Sequence, residues 1–153
     1  MVKPLLVNIS GMRGVGVSAA CDRIARNLNG QRINTVIVKL ESGRDVKEFE
    51  DNLILNKYAG VRVVLFDKHF NTESAVRRGL NTELWFDDSV LPDISLLMSP
   101  PHSPKDRHEA YLKIAKAHYG TDNHHVISTK GAYGKLYAAG NIKNLILREL
   151  GHA

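Results

Sequence analysis

A glycine-rich stretch near the N-terminus has the residue types and the spacing of a phosphate-binding loop. It reads Gly11-Met12-Arg13-Gly14-Val15-Gly16-Val17-Ser18 and follows the apolar run Leu5–Ile9. The phosphate-binding pattern is G-x-x-x-x-G-K-[ST], and Val17 stands where that pattern has lysine. Glycines let successive backbone N–H groups point inward, and the start of the following helix adds positive potential. The residues predicted to offer their backbone to a phosphate are Gly11, Gly14, Gly16, Val17 and Ser18.

The alternative for this stretch is a tight strand-to-helix turn without a ligand. Short motifs of this kind also occur by chance, and the lysine that normally reaches the outer phosphates is missing. Both interpretations stay open on the sequence alone.

The composition is that of an ordinary globular domain of 153 residues, with 43% apolar and 24% charged residues. This length predicts a single domain, residues 1–153, with a core of its own. No apolar run approaches the length of a membrane span, the N-terminus has no apolar leader, and Cys21 is the only cysteine. We therefore expect a cytoplasmic protein in a reducing compartment, with no membrane partner and with Cys21 as a small buried residue.

The net charge of +5 arises from 21 Lys and Arg against 16 Asp and Glu. This balance suits anionic ligands such as nucleotides. The basic residues are scattered, without the interleaved aromatic residues of a nucleic-acid surface. A solvated, mildly basic surface is favoured, and we do not expect nucleic acid as a partner.

Apolar, β-rich runs alternate with segments of helical periodicity, which predicts an α/β fold with a parallel sheet and helices on both faces. The predicted strands are Leu5–Ile9, Thr35–Leu40, Val61–Phe66, Ile94–Met98 and His125–Ser128. The predicted helices begin near Ser18 and Ser103 and cover about Asp45–Tyr58, Glu73–Leu80 and 136–150. Ligands of such sheets bind outside the carboxyl ends of the strands. We therefore expect the glycine-rich loop, Asp67 and Thr129-Lys130-Gly131 to lie along one edge.

The order of these signals resembles that of the thymidylate kinases, which are P-loop nucleoside-monophosphate kinases. Beside the glycine-rich loop, the resemblance is carried by three segments, namely Val63–Phe70 with Ser74-Ala75, Leu91–Leu97 followed by Arg107–Tyr111, and His125–Ser128 before the last helix. Together they extend over nearly the whole chain. The resemblance implies a three-layer P-loop kinase fold with five parallel strands. It also implies ATP with Mg²⁺ as phosphate donor, a nucleoside monophosphate as acceptor, and pairing as a homodimer.

The resemblance assigns catalytic and metal-binding roles to individual residues. Ser18 would place its hydroxyl on Mg²⁺, and Asp67 would hold the metal's water shell or orient the acceptor phosphate. Arg13 would replace part of the missing lysine charge, and Arg107 would serve as a second cation. The alternatives are a turn cap for Asp67, a solvated charge for Arg13 and a surface ion pair for Arg107.

The resemblance also implies that Lys68 and Lys47 would contact the acceptor phosphate. Lys130, at the predicted ligand edge of the sheet, is predicted to bind the ATP cofactor. The alternative for Lys68 is again a solvated surface charge.

Several departures from the thymidylate kinase pattern bear on activity. Val17 replaces the phosphate lysine, Arg13 stands where the family has aspartate, and Lys68 replaces an arginine. The segment that holds the monophosphate is reduced to residues 41–44, and the lid to residues 99–106. Two hypotheses follow: a divergent thymidylate-type kinase, or a catalytically inactive homologue that serves as a nucleotide-binding or protein-interaction module.

Overall fold

The computed structural model describes residues 3–11, 15–67, 92–99, 109, 113 and 124–151. In chain order they form β1 (Leu5–Gly11), α1 (Val17–Gly30), β2 (Thr35–Val38), α2 (Gly43–Ile54), β3 (Val63–Asp67), β4 (Ile94–Ser99), β5 (His124–Ser128) and α3 (Gly134–Glu149). The five strands form one parallel sheet in the order β2-β3-β1-β4-β5. All five predicted strands are thus confirmed.

Alternating side chains along the strands build a core on each face of the sheet, because successive residues of a strand point to opposite sides. Val7, Val63 and Leu65 pack with the buried residues of α1 and α3. Leu6, Val64 and Phe66 pack on the other face with buried residues of α2. The prediction of a sheet with helices on both faces is therefore confirmed.

The strand order places β1 in the middle of the sheet, at the point where the direction of chain progress reverses. From β1 the chain goes to β2 and β3 on one side, and β4 and β5 follow on the other side. In α/β sheets the crevice outside the carboxyl end of the strand at this switch point is the usual ligand site. The glycine-rich loop follows β1 at this position, and Asp67 ends the adjacent β3.

Helix α2 ends one turn earlier than the predicted boundary at Tyr58. Ser42 caps its start, since the Ser42 side chain accepts a hydrogen bond from the backbone N–H of Asp45. The helix ends at Ile54, and Asn56 has a left-handed backbone with φ of 60°. Asparagine tolerates this conformation, which stops an α-helix.

The helices predicted at Glu73–Leu80 and from Ser103 lie outside the described residues, apart from positions 109 and 113. Within the described ranges, no helix combines the length and apolarity that crossing a lipid bilayer requires.

Candidate functional site

The loop after β1 is held by close packing at its two described ends. Gly11 pairs with Met98 of β4, and a Cβ on Gly11 would lie 2.7 Å from Val15 Cγ2 and 2.9 Å from the Met98 carbonyl oxygen. Side chains do not tolerate such contacts, so packing requires glycine here. Val15 is only 2% exposed and belongs to the core beneath α1. The chain leaves the sheet at Gly11 and is packed in the core again at Val15.

Gly16 converts this loop into helix α1. Its φ of 91° and ψ of 35° lie in the left-handed region that glycine adopts without strain. Its carbonyl accepts the hydrogen bond of the Ala20 N–H at 2.9 Å, the first of the helix. Val17 then places its side chain in the core, with 3% exposure, whereas Ser18 is exposed. The position that carries lysine in the phosphate-binding pattern is thus used for packing in this chain.

A cavity of about 450 Å³ opens beside Gly16, between α1 and the turn that leads from β5 into α3. This volume is within the range of small-molecule sites. Most of its lining side chains are small or absent, which leaves room between the two helices. The lining residues are Gly16, Ala19, Ala20, Arg23, Thr129, Gly131, Ala132, Tyr133, Gly134, Lys135, Leu136 and Ala139.

The turn from β5 into α3 forms a rigid wall of this cavity. Thr129 is 3% exposed, and its hydroxyl donates a hydrogen bond of 2.5 Å to the carbonyl of Ser99 at the end of β4. Gly131 has a φ of 97°, again in the left-handed region. A Cβ on Gly134 would overlap the carbonyl group of Thr129. Helix α3 can therefore start this close to the end of β5 only because residue 134 is glycine.

The electrostatics of the cavity favour an anion. Among the described residues that line it, Arg23 and Lys135 are charged and none is acidic. Both α1 and α3 begin at this cavity, and neither has a side-chain cap or an acidic residue in its first turn. The N–H groups at a helix start carry partial positive charge and bind anions. Two cations and two helix starts therefore surround one pocket.

Asp67, the last residue of β3, has a buried carboxylate whose charge is balanced only by a distant lysine among the described residues. The residue is 7% exposed, and its Oδ2 lies 4.0 Å from Nζ of Lys39, whose side chain is 62% exposed. No described residue forms a hydrogen bond with the buried Oδ1. A desolvated carboxylate oxygen without a donor is unfavourable, and such an oxygen is the ligand type that Mg²⁺ prefers. The carboxylate thus fits a divalent cation or its water shell.

No group of three or more His, Cys, Asp or Glu side chains within the described ranges could hold a metal by itself. Protein Mg²⁺ sites typically use one or two carboxylates together with substrate phosphates and water. A single buried aspartate is therefore sufficient on the protein side only if a phosphate ligand completes the site.

The Asp67 carboxylate lies close enough to Cys21 of helix α1 to affect the pKa of its thiol. The Cys21 thiol is buried, and its pKa is raised far above the ordinary value, first by burial and next by the Asp67 carboxylate. Asp67 therefore lies near the inner side of α1. Ser18 precedes Cys21 by three residues, a spacing that makes the two neighbours on a helix. The metal-binding roles of Ser18 and Asp67 stay predictions, and Cys21 is the buried residue that we expected.

Four predicted site residues, Arg13, Gly14, Lys68 and Arg107, lie outside the described residues. Their roles stay predictions.

Two predicted lysines are described away from the cavity lining. Lys47 is exposed on α2, with Nζ 3.3 Å from Oδ1 of Asp51 one turn later. Lys130 is exposed in the β5–α3 turn, and its backbone N–H donates a hydrogen bond to Oγ of Ser128 at 3.2 Å. Both residues that flank Lys130 line the cavity. Their binding roles also stay predictions.

Of the twelve residues that line the cavity, only Gly16 was among the predicted site residues. Those that were missed include Arg23, Gly134 and Lys135. A signal for the last two exists in the sequence. Gly131-Ala132-Tyr133-Gly134-Lys135 follows a strand and precedes a helix, as the first glycine-rich loop does. Arg23 has a weaker signal, because it lies four residues after Ala19 and therefore on the same face of α1.

Neither the protein-family models nor the curated proteins gave a match to this sequence. Solved structures do match. A crystal structure of thymidylate kinase from Ehrlichia chaffeensis superposes with a TM-score of 0.64 and 14% sequence identity. The match covers 95% of this chain and 100% of that chain. At this identity the likeness shows the fold alone, and it confirms the predicted P-loop kinase fold with its five-stranded parallel sheet.

Proposed function

We propose that this chain binds ATP together with Mg²⁺ through residues 11–18 and the adjoining cavity. The observation that carries the proposal is the cavity itself, which lies beside Gly16 and is lined by two cations and no described acidic residue. The phosphates of ATP would contact backbone N–H groups of the loop and of the first turn of α1. The base would enter the space between α1 and the β5–α3 turn, where Tyr133 offers an aromatic ring.

Two residues support a role for Mg²⁺ in this proposal. Asp67 has a buried oxygen without a described partner, and the exposed Ser18 hydroxyl follows the loop directly. They would hold the ion or its water shell while the phosphates complete its coordination. Bound Mg²⁺ neutralises phosphate charge and orients the phosphates.

The reaction that suits this site is phosphoryl transfer from ATP to a nucleoside monophosphate of the thymidylate type. Phosphoryl transfer depends mainly on positioning and on cations at the transferred group. Arg13 and Arg107 are the proposed cations at that group, and Lys68 and Lys47 the proposed contacts of the acceptor phosphate. A homodimer is retained as a prediction.

The burial of Val17 favours a second candidate, a homologue that binds the nucleotide without efficient transfer. Loss of one preorganised charge at a transition state costs about 2.7–4 kcal/mol, or about a hundredfold to a thousandfold in rate. Because position 17 is valine in this chain, the lysine charge that the phosphate-binding pattern places there is missing.

Two measurements on the purified protein distinguish the active kinase from the inactive homologue. Isothermal titration with ATP, ADP, pyrophosphate and adenosine, each with and without Mg²⁺, measures binding. Incubation with ATP, Mg²⁺ and a panel of nucleoside monophosphates measures diphosphate formation. We expect ATP and ADP to bind, adenosine to bind more weakly, and Mg²⁺ to strengthen ATP binding.

Product formation that is abolished in Asp67→Asn would establish the kinase, whereas binding without product would establish the inactive homologue. If no nucleotide and no pyrophosphate binds at millimolar concentration, the proposal is wrong and a protein-interaction module remains.

A further inference from the structure

The side chain of Lys135 crosses the last glycine of the phosphate-binding loop. A Cβ placed on Gly16 would lie 3.2 Å from Cδ, 3.7 Å from Cε and 3.8 Å from Cγ of Lys135. The aliphatic part of the lysine therefore packs on Gly16, and its ammonium group is one bond beyond Cε. Lys135 also lines the cavity that adjoins the loop.

From this contact we propose that Lys135 supplies, from helix α3, the ammonium group that the loop lacks at Val17. The inference rests on the proposed function, because it names the residue that would meet the phosphates of the bound nucleotide. Gly16 directly precedes Val17, so a lysine that packs on Gly16 brings its charge to the same end of the loop. The attraction between a cation and a phosphate depends on their separation and surroundings, not on the element that carries the cation.

The start of α3 holds Lys135 in this place. Residue 134 packs against the carbonyl group of Thr129, and Thr129 is tied to the end of β4 by its hydroxyl. Lys135 follows directly, in the first turn of the helix. The backbone of the lysine is therefore fixed relative to the sheet, while its long side chain keeps the reach of a mobile point charge.

Arg23, the other cation of the cavity, is less suited to this role. It lies seven residues after Gly16 on α1, which corresponds to about 10 Å along the helix axis. Lys135, in contrast, contacts Gly16 itself. We therefore infer that Lys135, and not Arg23, is the cation that would bind the phosphates. Arg23 lies further from the loop along α1.

Affinity measurements on three variants test the inference. Lys135→Met removes the charge and keeps the aliphatic part, Lys135→Arg keeps a cation, and Lys143→Met removes a lysine eight residues further along the same helix. Titrations use ATP, pyrophosphate and adenosine, and circular dichroism confirms that each variant is folded. Lys135→Gln replaces Lys135→Met if the latter does not fold.

We expect Lys135→Met to weaken ATP and pyrophosphate binding about tenfold to a hundredfold, the usual effect of losing a charge-assisted hydrogen bond. Adenosine binding should change less than twofold, because adenosine has no phosphate. Lys135→Arg should recover most of the lost affinity, and Lys143→Met should bind all three probes like the wild type.

Two results would overturn the inference while leaving the proposed function in place. In the first, Lys135→Met binds ATP and pyrophosphate as the wild type does. In the second, it loses adenosine and ATP affinity equally, which would indicate a role in cavity shape. If the wild-type protein binds neither ATP nor pyrophosphate, the proposed function itself has failed and the inference fails with it.

Discussion

Replacement of Asp67 by asparagine should stabilise the ligand-free protein and remove its response to Mg²⁺. The carboxylate is 7% exposed, one of its oxygens has no described hydrogen-bond partner, and the other lies 4.0 Å from a mostly exposed lysine. Its negative charge is thus poorly compensated until a cation arrives. Asparagine has nearly the same shape without the charge.

The size of the effect follows from two opposing contributions. Asparagine also buries an unpaired polar group, so the replacement relieves only the extra desolvation cost of the charge, which we take as about 1–3 kcal/mol. The ion pair with Lys39 returns at most about 1 kcal/mol, since its lysine is largely in solvent. Asp67→Asn should therefore raise the free energy of unfolding by about 0–3 kcal/mol, which corresponds to a rise of up to about 12 °C in Tm for a domain of this size.

Thermal unfolding followed by circular dichroism measures both effects, without ligand and with ATP and Mg²⁺. Wild-type protein at a hundredfold excess of ligand over Kd should gain about 2.7 kcal/mol. In Asp67→Asn, addition of Mg²⁺ to ATP should give no further gain.

Asp93→Asn is the matched control. Asp93 lies just before β4, and its Oδ2 accepts a hydrogen bond of 2.8 Å from the backbone N–H of Leu6. Because this carboxylate already has a partner, its replacement should lower stability by about 1 kcal/mol and leave the Mg²⁺ response intact. A lower Tm for ligand-free Asp67→Asn would show that the Asp67 carboxylate is well compensated, and the reasoning would be refuted.

Three further predictions concern the residues that pack around the site. Gly134→Ala should lower the free energy of unfolding in urea by about 1–3 kcal/mol, because the new methyl group overlaps the carbonyl of Thr129. Gly140→Ala, in the same helix with nothing within 4 Å of its added Cβ, should instead raise it by about 0.5–1 kcal/mol. Cys21 should resist thiol reagents in the folded protein at pH 8 and react once it is unfolded, since its raised pKa keeps it as the thiol. The pKa of Cys21 is higher in the folded than in the unfolded protein, so folding favours the protonated thiol. The stability that this contributes should be complete below pH 9 and decline above it. Cys21→Ala should remove this part of the pH dependence of the free energy of unfolding in urea titrations.

The fold was predictable because its signals are local. Most strands are short, predominantly apolar runs, and α1 ends at an Asn-Gly pair, so neighbouring residues alone marked these elements. The boundary of α2 was predicted less well. Its last turn depends on the left-handed backbone of Asn56, and nothing in the apolar periodicity of the segment marks that conformation.

The site was only half predictable, for a physical reason. The glycines of the first loop form a local pattern and were found from their spacing. The opposite wall of the cavity comes from a segment more than a hundred residues later, and only the packing of α1 on α3 brings the two together. The contact between Gly16 and Lys135 arises from this packing, so neither residue's neighbours in the sequence could reveal it.

The position of Lys135 changes how the missing loop lysine should be judged. A phosphate-binding loop contributes fixed backbone N–H groups, and the lysine adds one mobile charge to them. The first contribution needs the glycines and the helix start, both of which are present here. The second needs only an ammonium group within reach, and a side chain from α3 already packs on the loop. On the proposal that Lys135 serves the loop, burial of Val17 in the core leaves a cation beside it, so a test of phosphate binding in this chain must vary position 135 as well as position 17.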